Sequence, residues 1–112
     1  MQRITSRQNP RVKNAARLRT NRERQFIGRC LVDGGREILR ALAANVRCVE
    51  FYVCDELCDS DESHKAVEAL IATGAEMLNV IPTVYSKIAF GGREDGIIAM
   101  VETPYRSLNE LD

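Results

Sequence analysis

No stretch of this 112-residue sequence comes near the roughly 20 consecutive apolar residues that a membrane-spanning helix needs. A helical membrane protein is therefore not expected. The N-terminus is basic from Arg3 onward and lacks the apolar core of a secretory signal, so the expected setting is the cytoplasm, with no membrane partner. Familiar enzyme signatures are absent as well: there is no Gly-x-x-x-x-Gly-Lys phosphate loop, no Gly-x-Gly-x-x-Gly cofactor fingerprint and no His-Glu-x-x-His pair. Internal repeats are missing too.

Histidine occurs once. The string Cys54-x3-Cys58-x5-His64 has neither the fourth close ligand nor the stereotyped spacing of a structural zinc site, so no metal is expected. The four cysteines do not call for disulfides, because a chain of this size can stand on its core in a reducing compartment. The acidic run Asp59-Ser60-Asp61-Glu62 reads as a helix cap among solvated acids. No partner nucleophile accompanies it, and no catalytic residue is assigned.

With 45% apolar and 29% charged residues the composition is that of one globular domain. The formal net charge of zero conceals a division. Residues 1–40 carry eleven bases against three acids, whereas residues 41–112 carry five bases against thirteen acids. Ten of the eleven are arginine, whose guanidinium matches phosphate oxygens in pairs and stacks on unpaired bases. A basic arm that faces nucleic acid is the expectation. The competing reading is a charged helix paired with acids elsewhere in the fold.

Along the chain, Ile4-Thr5-Ser6 is a short lead. Asn9-Pro10 marks a helix start, with Asn9 as cap and Pro10 at the first helical position, where its missing N–H costs nothing. Val12, Ala15, Ala16 and Leu18 share one arc of that helix, while Lys13, Arg17 and Arg24 form a basic stripe if the helix continues so far. Gly28 closes the arm. Strands are expected at 29–32, 49–54, 77–81 and 97–101. Between them lie a helix from about Glu37, with Ile38, Leu39, Leu42 and Val46 inward, a helix capped by Ser60 or Asp61, with Val67, Leu70 and Ile71 inward, and a short helix opened by Pro82 or Thr83. Gly74 should stop the second of these. The turn Asp33-Gly34-Gly35-Arg36-Glu37 links strand to helix. It is either an anion site, where helix N–H groups and Arg36 meet a phosphate, or a tight connection that needs glycine geometry. Alternating strands and helices predict an α/β fold with helices on both sides of a sheet.

Ile4-Thr5-Ser6, Asn9-Pro10-Arg11-Val12-Lys13, Leu18, Arg24, Leu31 to Glu37, Ala41-Leu42 and the run Gly96 to Pro104 resemble the N-terminal substrate-binding domain of the SpoU (TrmH-like) RNA ribose methyltransferases. Two positions depart from the pattern: Asp33-Gly34-Gly35-Arg36 replaces a more usual Glu-Gly-x-Arg, and Cys30 replaces a common Phe. The resemblance implies a three-layer α/β/α sandwich around a small mixed sheet, similar to kink-turn-binding ribosomal proteins. It also implies an RNA partner, ribosomal ahead of transfer RNA, and a separate C-terminal half that uses S-adenosylmethionine to methylate a ribose 2′-hydroxyl. Residues 1–102 are then the RNA-binding domain, with 1–29 its basic arm and first helix, and 103–112 begin a linker to a catalytic half. Dimerisation through that half implies a monomer for this chain, which itself binds no cofactor.

The candidate RNA contacts are Arg3, Ser6, Arg7, Asn9, Arg11, Lys13, Arg17, Arg24, Gly34, Gly35, Arg36, Gly91, Gly92 and Arg93. In this scheme arginines neutralise phosphates, and the two glycine pairs admit RNA close to the main chain beside Arg36 and Arg93. A free-standing, non-catalytic RNA-binding protein and a protein-interaction module are the alternatives.

Overall fold

Asn9 does begin the first helix: its side-chain oxygen accepts the Arg11 amide at 2.8 Å, and Pro10 occupies the first turn of α1 (Pro10–Arg17). The computed structural model, which describes residues 3–91 and 94–103, parts from expectation directly afterwards. The helix does not continue to Arg24. Leu18 turns into the core, 2% exposed, and Thr20 caps a second helix, α2 (Asn21–Ile27), by accepting the Glu23 amide at 3.3 Å. A hydroxyl that can satisfy a free helix amide competes with continuing the previous helix, and here it prevails. Lys13, Arg17 and Arg24 therefore do not form one stripe.

Gly28, at φ +79°, closes α2. There follow β2 (Arg29–Asp33), α3 (Gly35–Ala43), β3 (Cys48–Val53), α4 (Asp61–Ala72), β4 (Glu76–Val80), α5 (Pro82–Ile88) and β5 (Ile97–Glu102). Strands β3 and β4 lie one residue earlier than the sequence predicts, and α3 starts two residues earlier, at the second glycine. The lead at the N-terminus is itself a strand, β1 (Arg3–Ile4), paired with Asn79 and Val80. Two residues whose partner lies 76 positions away have no local pattern that reveals them.

The sheet order is β1-β4-β3-β5-β2, with β1, β4 and β3 parallel and β5 antiparallel to both β3 and β2. Side chains alternate across it as a strand requires. Tyr52, Ile98 and Met100 join Val12, Ala15 and Leu18 of α1 and Val84, Tyr85 and Ile88 of α5 on one face. Phe51, Val53, Ile97, Ala99 and Val101 join Ile38 of α3 and Ala66 and Leu70 of α4 on the other. The three-layer mixed α/β/α sandwich expected from the sequence is the fold observed.

Helix α4 keeps two of its three predicted inward residues, Leu70 in the core and Val67 packed against it, but not the third. Ser63, Ala66 and Leu70 are buried while Ile71 is 54% exposed, because the start of α3 lies directly on the start of α4. A Cβ on Gly35 would stand 2.5 Å from the Glu62 carbonyl carbon and 2.6 Å from the Ser63 nitrogen. Both obstacles are backbone, which cannot rotate away. Gly35→Ala is accordingly expected to lower stability by about 1–3 kcal/mol, the usual cost of overpacking, measured by urea unfolding; an unchanged midpoint would contradict the close approach.

Candidate nucleic-acid interface

The carboxyl ends of β1, β2, β3 and β4 share one edge of the sheet with the start of β5, the edge at which open α/β sheets commonly hold ligands. Main-chain bonds stitch it together: the Gly34 amide donates to Ile97 (3.0 Å), that of Cys54 to Gly96 (2.9 Å) and that of Ile81 to Ile4 (3.2 Å). Asp33, at the end of β2, is buried. Its Oδ2 accepts Arg19 Nη2 at 2.8 Å and the Phe90 amide at 3.3 Å. Arg19 Nε donates to the Ile88 carbonyl at 2.6 Å, and its guanidinium lies over the Phe90 ring, 5.8 Å from the centroid. Asp33 thus ties the turn at Gly34 to the segment that carries Phe90.

Several predicted contacts are engaged inside the domain. Arg3 forks onto Glu56 (3.1 and 2.8 Å) and reaches Asn79 and the Val80 carbonyl. Arg11 bridges Glu50 and Glu76 from the starts of β3 and β4, and Glu50 in turn accepts the buried Tyr52 hydroxyl. Arg17 pairs with Glu23 across the bend between α1 and α2, and Arg24 folds back to the Leu18 and Arg19 carbonyls, each at 3.0 Å. Those carbonyls follow the end of α1, where such groups lack helical partners. Asn9 is the helix cap, and Ser6 Oγ accepts the Gln8 amide at 3.1 Å. For Arg3 and Arg11 the competing reading of the charge division holds: the arm pairs with the acidic half.

Gly34 and Gly35 are buried, and Gly35 abuts α4 rather than an open groove. Gly34 lies at φ +91° and Gly35 has no room for a Cβ, so the turn is a tight connection that needs glycine. Gly91 is exposed, whereas Gly92 and Arg93 lie outside the described residues. Arg7, Lys13, Arg22 and Arg36 are exposed, and none of these four has a side-chain partner among the described residues. Sequence reasoning omitted Arg19, Arg22 and Phe90. Within an arginine-rich run nothing local marks Arg19 as the one aimed at a buried acid; Phe90, an aromatic directly before loop glycines, carried a signal.

The cysteines are free thiols. Cys54 faces the α1/α5 side of the sheet and Cys58 the α3/α4 side, so they do not converge, and His64 Nε2 lies 2.9 Å from the Cys58 carbonyl oxygen. Burial pushes the Cys48 thiol up to about 11. Among the described residues no group of three His, Cys, Asp or Glu side chains could hold a metal, and no helix is long and apolar enough to cross a membrane.

A model of the MRM3-like substrate binding domain matches residues 9–99. The chain belongs to the MRM3-like substrate-binding domain family. The resemblance to SpoU-type methyltransferase substrate-binding domains is borne out across most of the chain. A crystal structure of an RNA 2′-O ribose methyltransferase is 34% identical and superposes with a TM-score of 0.84 over 96% of this chain and 40% of that one. An AdoMet-bound rRNA methyltransferase from Sinorhizobium meliloti (19% identity, TM-score 0.73, 93% of this chain and 37% of that one) shares the fold. So does the SpoU methyltransferase AviRb from Streptomyces viridochromogenes, in complex with AdoMet (24%, 0.67, 91% and 36%). This MRM3-like domain therefore spans about two fifths of these proteins or less. No curated protein sequence matches it.

Within the MRM3-like domain, the Arg3 guanidinium holds the Glu56 carboxyl down to about 2, and Arg11 lowers Glu76. A carboxyl depressed by folding stabilises above its ordinary value and loses that contribution as pH falls toward the folded value. The Arg3–Glu56 link should therefore weaken between about pH 4.5, the ordinary value, and about pH 2. Arg3→Gln should return the Glu56 carboxyl shift titration toward the ordinary range, and a titration that stays near 2 would remove Arg3 as the cause.

Proposed function

We propose that this chain is the RNA-holding part of an S-adenosylmethionine-dependent RNA 2′-O-ribose methyltransferase of the cytoplasm, acting on ribosomal RNA. Residues 1–102 bind and position the RNA, and residues 103–112 lead toward the part that carries the cofactor and performs the transfer. The observation that carries the reading is 34% identity along 96% of the chain to an RNA 2′-O ribose methyltransferase. The AdoMet-bound neighbours of the same fold support the cofactor assignment. Dimerisation belongs to the catalytic part, so this chain alone is a monomer.

For the chain itself the work is electrostatic. Arg7, Lys13, Arg22 and Arg36, which hold no internal acid, are the cations available to displace counterions from a phosphate backbone; such contacts give affinity and orientation without reading sequence. Arg3, Arg11, Arg17 and Arg24 of the original candidate set instead brace the surface on which those cations stand. Ser6 and Asn9 shape the turn that carries Arg7 into α1, Gly91 follows Phe90 in the chain, and Gly92 and Arg93, outside the described residues, are kept as RNA contacts of that segment.

The test is fluorescence anisotropy with deproteinised ribosomal RNA and with bulk transfer RNA over a salt series. Tighter binding to ribosomal RNA is expected, and log affinity should fall against log salt by about 0.7–0.9 per neutralised phosphate. Replacing Arg7, Lys13, Arg22 and Arg36 together by alanine should flatten that slope, whereas Lys65→Ala, on α4, should leave it in place. An unaltered slope in the fourfold variant would take these cations out of the interface, and equal affinity for both RNAs would remove the ribosomal assignment.

A further inference from the structure

We propose that Phe90 is a preformed stacking platform for an unpaired RNA base, so that the RNA held here presents a single-stranded nucleotide at the carboxyl edge of the sheet. The inference rests on the RNA-holding reading above and specifies its ligand. Aromatic residues are scarce in this chain, and Phe51, Tyr52 and Tyr85 are buried in the core. Among the described residues only Phe26 and Phe90 are exposed aromatics, at 87% and 64%.

Their settings differ. Phe26 projects from α2 between Arg22, Glu23 and Gln25, and no hydrogen bond or ring contact with the described residues fixes its side chain. Phe90 is held from two sides. Its amide donates to Asp33, and its ring lies under the Arg19 guanidinium, which is itself locked to Asp33 and to the Ile88 carbonyl. The guanidinium attracts the ring from one side, and the residue remains 64% exposed. Ordering an exposed aromatic on binding normally opposes affinity, and here folding has already ordered it. A flat apolar surface beside a positively charged backbone site is what stacks bases without regard to their identity. A duplex hides its base faces and cannot use it.

The sequence contains no tryptophan, so Phe90→Trp introduces a single indole that reports stacking directly. With oligoadenylate as the single-stranded probe, Phe90→Ala should weaken binding about 5- to 100-fold with an unchanged salt slope, and Phe26→Ala should bind like the parent. Phe90→Trp should retain affinity, with its emission quenched by oligoadenylate and by ribosomal RNA and unaffected by a perfectly paired RNA duplex. Full affinity in Phe90→Ala, or bound RNA that leaves the indole emission unchanged, overturns the platform while the cation-dependent salt slope keeps the RNA reading standing. Failure of the unaltered chain to bind either oligoadenylate or ribosomal RNA overturns both.

Discussion

One carboxylate fixes the geometry of the sheet's carboxyl edge. Asp33 ends β2, is shielded from water, and bonds at once to the segment after α1 through Arg19 and to the segment after α5 through the Phe90 amide. Arg19 is partly exposed while Asp33 is buried, so removing Arg19 would strand a buried carboxylate. Arg19 carries more than a countercharge, because the same guanidinium caps the Ile88 carbonyl and braces an aromatic ring. A lysine would keep the charge but not the planar fork that makes those three contacts together. The shorter acid that distinguishes this chain's turn from the usual family pattern is thus the residue on which the edge converges.

The division of charge along the sequence resolves into two populations. Arg3, Arg11 and Arg19 join elements distant in sequence, Arg17 and Arg24 tie α2 back to the end of α1, and the role of all five is architectural. Arg11 illustrates it by spanning the starts of β3 and β4 through Glu50 and Glu76 while Glu50 also satisfies the buried Tyr52 hydroxyl. Arg7, Lys13, Arg22 and Arg36 are left to the solvent. Counting cations from the sequence overstates the number left without an internal partner roughly by the first group. Exposed pairs such as Arg17–Glu23 contribute little to stability, yet they still withhold a guanidinium from a ligand.

Much of the fold was legible because its signals are local. The Asn9-Pro10 start, the Ser60 cap, the Gly28 and Gly74 stops and the β-branched runs each encode a boundary within a few residues, and the alternation of strand and helix leads to the three-layer sandwich. What escaped was decided at long range. The β1 pairing depends on residues 79 and 80, the face of α4 on a glycine contact with α3, and the break before α2 on a contest between Thr20 and helix continuation. The candidate site was less legible for the same reason: an arginine's freedom depends on which acid the fold brings beside it, and Arg3 and Arg7 look alike in the sequence.

The last described bond of the sheet has a mechanical corollary. Strand β5 is laddered to β2 on one flank and to β3 on the other, and the Thr103 amide adds a rung to the Gly28 carbonyl at 3.0 Å. Tension arriving at Thr103 along the strand meets both ladders lengthwise, so their rungs resist in shear instead of peeling apart singly. Anything tethered at that point pulls on a strand that is bonded along both flanks.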